Sequence, residues 1–147
     1  VYYLISVIVA QLDTAERGFS YHADAPLDMR MDRTAPLSAR DVVNGYSFEQ
    51  LCRILREYGE ERFASRIADR ILREREKHPI ETTAELSAIV CAAMPGKSRH
   101  EQQHPALRTF QAIRIEVNGE LDGLRRAVDQ AHDLLNPGGR LVILTFH

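Results

Sequence analysis

Arg17-Gly-Phe-Ser-Tyr21, followed by Pro26-Leu-Asp-Met-Arg-Met-Asp32 and Arg33, gathers aromatics, carboxylates and arginines in a stretch with almost no helical or strand period. Residues of these types can do chemistry on a nucleic acid. Arg17, Arg30 and Arg33 can pair phosphates, because a guanidinium offers a planar fork of donors. Phe19 and Tyr21 can stack an unpaired base, a common way of reading RNA loops. Asp28 and Asp32 can accept hydrogen bonds from an exocyclic amine. The same residues also suit a self-contained loop, in which Asp28 and Asp32 pair with Arg30 and Arg33 while the aromatics plug neighbouring helices.

Other chemistries find less support. His100 and His104 stand four apart, a spacing that suits a metal on a helix, but they fall in a breaker-rich linker with no third ligand in view, so no metal site is expected. Cys52 and Cys91 sit among apolar neighbours in helical patterns and read as reduced, buried small hydrophobes. The 147 residues are 44% apolar and 27% charged, the composition of a globular protein with a real core. Net charge is −2, so nucleic-acid binding must come from a local patch. Only Lys77 and Lys97 are lysines among 19 basic residues; the arginine excess suits phosphate recognition and equally reflects a GC-rich genome. The apolar run Val1–Ala10 is too short to span a bilayer and lacks the basic leader and cleavage site of a secretory signal. A cytoplasmic protein without membrane contact is the expectation.

The elements that would position these residues follow from periodicity. Val1–Ala10 is continuous and β-branched, as in a strand covered on both faces of a parallel sheet. Residues 11–37, with Gly18, Pro26 and Pro36, form a long ordered loop. Ser38 caps a short helix ending near Asn44-Gly45. Ser47 with Gln50 and Thr82 with Glu85 are capping-box signatures that open two further helices. Between them a helix is predicted from about Glu60 to Lys77. Phe48, Leu51, Ile54, Phe63, Ile67, Leu86 and Ile89 are the expected core of this cluster, one that folds without the terminal strands. After a polar linker at 95–104, Pro105 opens a helix carrying Leu107, Phe110, Ile113 and Val117. Beyond a break at Asn118-Gly119 the apolar period resumes with Leu121, Leu124, Val128, Ala131 and Leu135. Asn136-Pro-Gly-Gly then turns the chain into a second apolar strand, Leu141–Phe146.

The literal strings carry more than the periods. Arg17-Gly-Phe-Ser with Pro26-Leu-Asp-Met-Arg-Met-Asp32, Tyr58-Gly-Glu-Glu-Arg62, His104-Pro-Ala-Leu-Arg-Thr-Phe-Gln-Ala-Ile-Arg114 and Asn136-Pro-Gly-Gly-Arg-Leu141 occur in this order, and together they resemble the MraW family from Gln11 to His147. That resemblance implies S-adenosyl-L-methionine-dependent methylation of the N4 amine of a cytidine in 16S small-subunit ribosomal RNA. It implies an α/β fold: a partial Rossmann-like methyltransferase sheet with an inserted all-α helical domain. The expected division is residues 1–32 (strand and active-site loop), 33–104 (helical insertion) and 105–147 (returning helix and strand). By the same resemblance Gln11 touches the cofactor, Asp28, Asp32 and His147 are the catalytic candidates, and Arg17, Phe19, Tyr21, Arg30 and Arg33 face ribosomal RNA. A homodimer is left open.

Two departures qualify this picture. No GxGxxG-like segment occurs, so the usual cradle at a helix N-terminus is missing. Where the family has Asp-Leu-Gly-Val-Ser-Ser-Pro-Gln, this chain has Leu4-Ile-Ser-Val-Ile-Val-Ala-Gln11, and nothing before Gln11 fits. The chain therefore reads as a fragment lacking the N-terminal cofactor-binding part, inactive alone. The alternative is a non-catalytic helical RNA- or protein-binding module.

Overall fold

A computed structural model describes residues 18–95 and 104–143. Six helices follow in order: α1 (Ala39–Gly45), α2 (Phe48–Glu57), α3 (Ala64–Arg75), α4 (Thr83–Ala93), α5 (Leu107–Asn118) and α6 (Glu120–Asp133). Three of them start where side chains replace the missing hydrogen-bond partners of the first turn. Ser38 with Asp41, Ser47 with Gln50 and Thr82 with Glu85 each form a full capping box. At the other end of α1, Arg75 donates to the carbonyls of Val43 (3.0 Å) and Tyr46 (2.7 Å), which the helix leaves unpaired.

The apolar positions recur at three and four residues and meet in one core. Leu51, Ile54 and Leu55 of α2, Ile67 and Ile71 of α3, and Leu86 and Val90 of α4 are buried together. α5 belongs to the same core through Phe110, Ala112 and Ile113, and packs on both α1 and α2. The approach of α2 to α5 is close at Gly59. A Cβ there would lie 2.6 Å from the carbonyl oxygen of Arg108, so only glycine fits. Burying each large side chain contributes roughly 1.5–3 kcal/mol before entropy is counted.

The segment before α1 is an ordered strap across this core rather than a free loop. Ala25, Leu27 and Met29 are buried within it. Its backbone pairs with the approach to α4: Leu27 N–H donates to Glu81 O (2.9 Å), Thr83 N–H to Ala25 O (2.9 Å), and Pro26 and Thr82 form an antiparallel bridge. Arg40 and Glu81, paired through two 2.7 Å bonds, lie across the same seam.

Several expectations are corrected. Phe48 is 36% exposed, because it is the first residue of α2, one turn short of the face that enters the core. The third helix begins at Ala64, four residues later than expected, because Glu60 takes a left-handed backbone (φ 50°) and the buried Glu61 carboxylate accepts from Phe63 N–H (2.8 Å). The apolar stripe of α6 is not inward: no residue of that helix is buried, and Leu121 and Leu124 are about half exposed. The expected final strand is not formed over Leu141–Ile143, where Val142 is 88% exposed. A strand requires a ladder of partner groups, and the described residues contain none. The described residues are all-helical, and the expected α/β sheet is not seen among them; residues 144–146 of the expected final strand lie outside them. Val1–Ala10 lies outside the described residues.

Candidate nucleic-acid interface

The strap carries the residues that the sequence singles out, and it is shaped by two backbone positions. Gly18 has φ +74°, and a Cβ there would sit 2.3 Å from Pro26 O, so the strap closes on itself where only glycine is accommodated. Met29 is left-handed too (φ 58°) although it is not glycine, and its side chain is fully buried. Such a conformation persists only where the surroundings hold it.

Arg30 organises the far end of the strap. Its Nε donates to Asp28 Oδ1 at 2.6 Å and its Nη2 to Asp28 Oδ2 at 3.2 Å, while Nη1 donates to the carbonyls of Arg33 (3.1 Å) and Ala35 (2.9 Å). A half-buried, two-pronged pair of this kind is the strong form of a charged hydrogen bond. The Arg30 guanidinium holds the Asp28 carboxyl below the usual carboxylate range, against the opposing effect of burial. Asp28 is therefore a fixed negative anchor and a poor proton acceptor. Asp32 is used locally through one oxygen: Oδ1 accepts from Thr34 N–H (2.8 Å) and Oγ1 (2.7 Å), which lowers its pKa. Its Oδ2 meets no donor among the described residues, so this exposed carboxylate can still accept from a ligand. The exposed Arg33 side chain forms no hydrogen bond or ion pair among the described residues.

The aromatics are engaged inside the protein. Tyr21 stacks on His104 (ring centroids 4.5 Å, planes 18° apart) and meets Phe110 edge-on at 5.8 Å. His22 lies 4.3 Å from Tyr21 and 5.8 Å from His104. Phe19 is partly buried against the core. Burial, and then the neighbouring His22, lower the pKa of His104, whose Nδ1 lies 3.1 Å from the donating N–H of Ala106. Gln11, Arg17 and His147 lie outside the described residues.

Two contributors escaped the sequence reading. Thr83 accepts from Ala25 N–H (3.0 Å) and donates to Ala23 O (2.7 Å), tying the strap to the head of α4. Asn118, read as a mere break, accepts from Met31 N–H (2.7 Å) and donates to Met29 O (2.8 Å). No local spacing signals either bond, because the partners are 58 to 89 residues apart.

The strap thus presents the exposed Asp32 carboxylate and the exposed Arg33 side chain on a helical base. The chain belongs to the MraW methylase family, whose model matches residues 1–147. The match takes in residues 1–10, which the motifs alone place outside the resemblance. Relatives named ribosomal RNA small subunit methyltransferase H are 58% identical over 143 residues in Symbiobacterium thermophilum, 52% over 143 in Brevibacillus brevis and 55% over 142 in Mycolicibacterium smegmatis. Each alignment covers 97% of this chain but only 45%, 46% and 38% of the respective relative, so the chain spans less than half their length. Four places in the described residues where a methyl-donor cofactor could be cradled are already filled. Gly18 is closed against its own strap, and the first turns of α1, α2 and α4 are filled by their own capping side chains.

Proposed function

We propose that this chain serves S-adenosylmethionine-dependent methylation of a cytidine N4 amine in small-subunit ribosomal RNA, and that the strap and its helical base form the RNA-facing side. The observation that carries this reading is the family match over the whole chain, combined with relatives above 50% identity that bear a ribosomal RNA methyltransferase name. In this reading a Rossmann-like sheet holds the cofactor, with Gln11 touching it, His147 beside the reacting groups, α1 to α4 standing as the inserted unit, and α5 and α6 as the returning helix. Asp32 is the better placed of the two carboxylates to accept a bond from the target amine, since Asp28 is committed to Arg30. Arg17 and Arg33 reach phosphate. Arg30 acts by holding the strap, and Phe19 and Tyr21 support it from below. A cytidine N4 amine is a weak nucleophile because its lone pair is shared with the ring, so an acceptor that holds the amine in line for attack assists transfer.

Disrupting the gene in its host and digesting the small-subunit RNA to nucleosides tests the reading. Loss of N4-methylcytidine, restored by the intact gene, is expected; an unchanged amount overturns it.

A further inference from the structure

The backbone on either side of Arg30 presents a mismatched pair of groups. The left-handed turn at Met29 brings its carbonyl and the N–H of Met31 to α5. Both are met by one side chain from the far end of α5. Asn118 Oδ1 accepts from Met31 N–H at 2.7 Å, and Nδ2 donates to Met29 O at 2.8 Å. The second Nδ2 hydrogen is spent on Arg114 O (2.9 Å), which fixes the amide relative to its own helix. Arg114 is in turn braced by two bonds to Glu120 (2.8 and 3.2 Å), across the junction with α6.

Only a carboxamide of this length supplies an acceptor and two donors from one planar group. Aspartate keeps the acceptor but loses both donors. Alanine loses all three, and with them both part-buried bonds to the strap backbone. Arg30 locks the strap from within, through Asp28 and two carbonyls; Asn118 locks the same turn from outside and sets where it stands on the helical base.

We propose that Asn118 is a positioning residue for RNA recognition: by holding Met29 and Met31 it fixes the strap so that Asp32 and Arg33 meet the ribosomal RNA in one pose. The role in RNA recognition rests on the function proposed above, whereas the clamp itself does not.

Two variants of the 147-residue chain separate the possibilities, read by amide hydrogen exchange and by gel shift with a small-subunit ribosomal RNA fragment. In Asn118→Ala, exchange at Met31 should rise by roughly tenfold or more, with the amides of α2 and α3 unchanged. RNA affinity should fall by roughly tenfold with an unchanged salt slope, because no phosphate contact is lost. In Asn118→Asp at neutral pH the carboxylate faces two carbonyls and should loosen the turn at least as much. Below its own pKa the neutral carboxyl can donate to Met29 O and accept from Met31 N–H, so protection relative to wild type at the same pH should recover toward pH 4. A side chain that merely fills space would show no such recovery. Unchanged Met31 exchange in Asn118→Ala overturns the clamp. A loosened strap with undiminished RNA affinity overturns the positioning role. Failure of the wild-type chain to bind the RNA rejects the functional reading and the positioning role with it, while exchange still decides the clamp.

Discussion

Arg30 shows how one side chain can be read in two ways and used in one. As a member of an arginine-bearing run it suits a phosphate; in the folded chain its Nε and both Nη nitrogens are spent on Asp28 and on the carbonyls of Arg33 and Ala35. Replacing it with alanine should lower the melting midpoint by a few degrees and leave the salt slope of RNA binding alone. A slope flattened by about one unit, the mark of one lost phosphate contact, would contradict this assignment. The Asp28 pair also gives a pH signature. Because Arg30 lowers the Asp28 pKa, the stabilisation is complete above the ordinary aspartate value of about 4 and is lost as pH falls through the lower folded value. Arg30→Ala should therefore lose less stability than the wild type between pH 4 and pH 2 in thermal melts. The two-residue spacing of Asp28 and Arg30 made this pair legible in the sequence as an alternative. Asn118 was not legible, because its meaning depends on partners most of a chain away.

At the scale of elements, local signals fared best where the helix supplies its own partners. The boxes at Ser47 with Gln50 and Thr82 with Glu85, and the stop near Asn44-Gly45, are visible within four residues and hold in the structure. Periodicity alone misled for α6, whose apolar stripe is real but finds no cover among the described residues. The head of α5 uses a less obvious device. His104 accepts from Ala106 N–H through Nδ1 and stacks on Tyr21, so protonation at that nitrogen removes an acceptor and places charge beside His22. Its folded pKa is lowered by burial. The unfolded state therefore binds the proton first, and stability falls as pH drops below the ordinary histidine value of about 6.5. Melting midpoints measured from pH 7.5 to pH 5 should decline, and His104→Asn, which keeps an acceptor that does not titrate, should flatten the decline. An equal decline in both proteins would remove His104 from this role.

For the whole molecule, α5 and the strap share the core with the four helices before them. A fragment of residues 18–118 should therefore melt cooperatively by circular dichroism. One of residues 37–104 should melt at a markedly lower temperature, since it lacks Leu27, Met29, Phe110 and Ile113, and loss of a buried phenylalanine alone costs about 3–5 kcal/mol. Equal midpoints would mean that the helices need neither strap nor α5. The cofactor side is expected to be weak in this chain, which has no glycine-rich cradle in its sequence. Calorimetric titration with S-adenosylmethionine should give no binding in the low micromolar range, and a dissociation constant there would contradict that expectation.

The most direct measurement of the central claim is photocrosslinking of the chain to small-subunit ribosomal RNA, with the linked peptides mapped by mass spectrometry. A strap held in place as the RNA-facing side predicts that crosslinks concentrate between Phe19 and Thr34 and disappear when excess unlabelled RNA competes. Crosslinks confined to the outer faces of α2 and α3, with none on the strap, would contradict it.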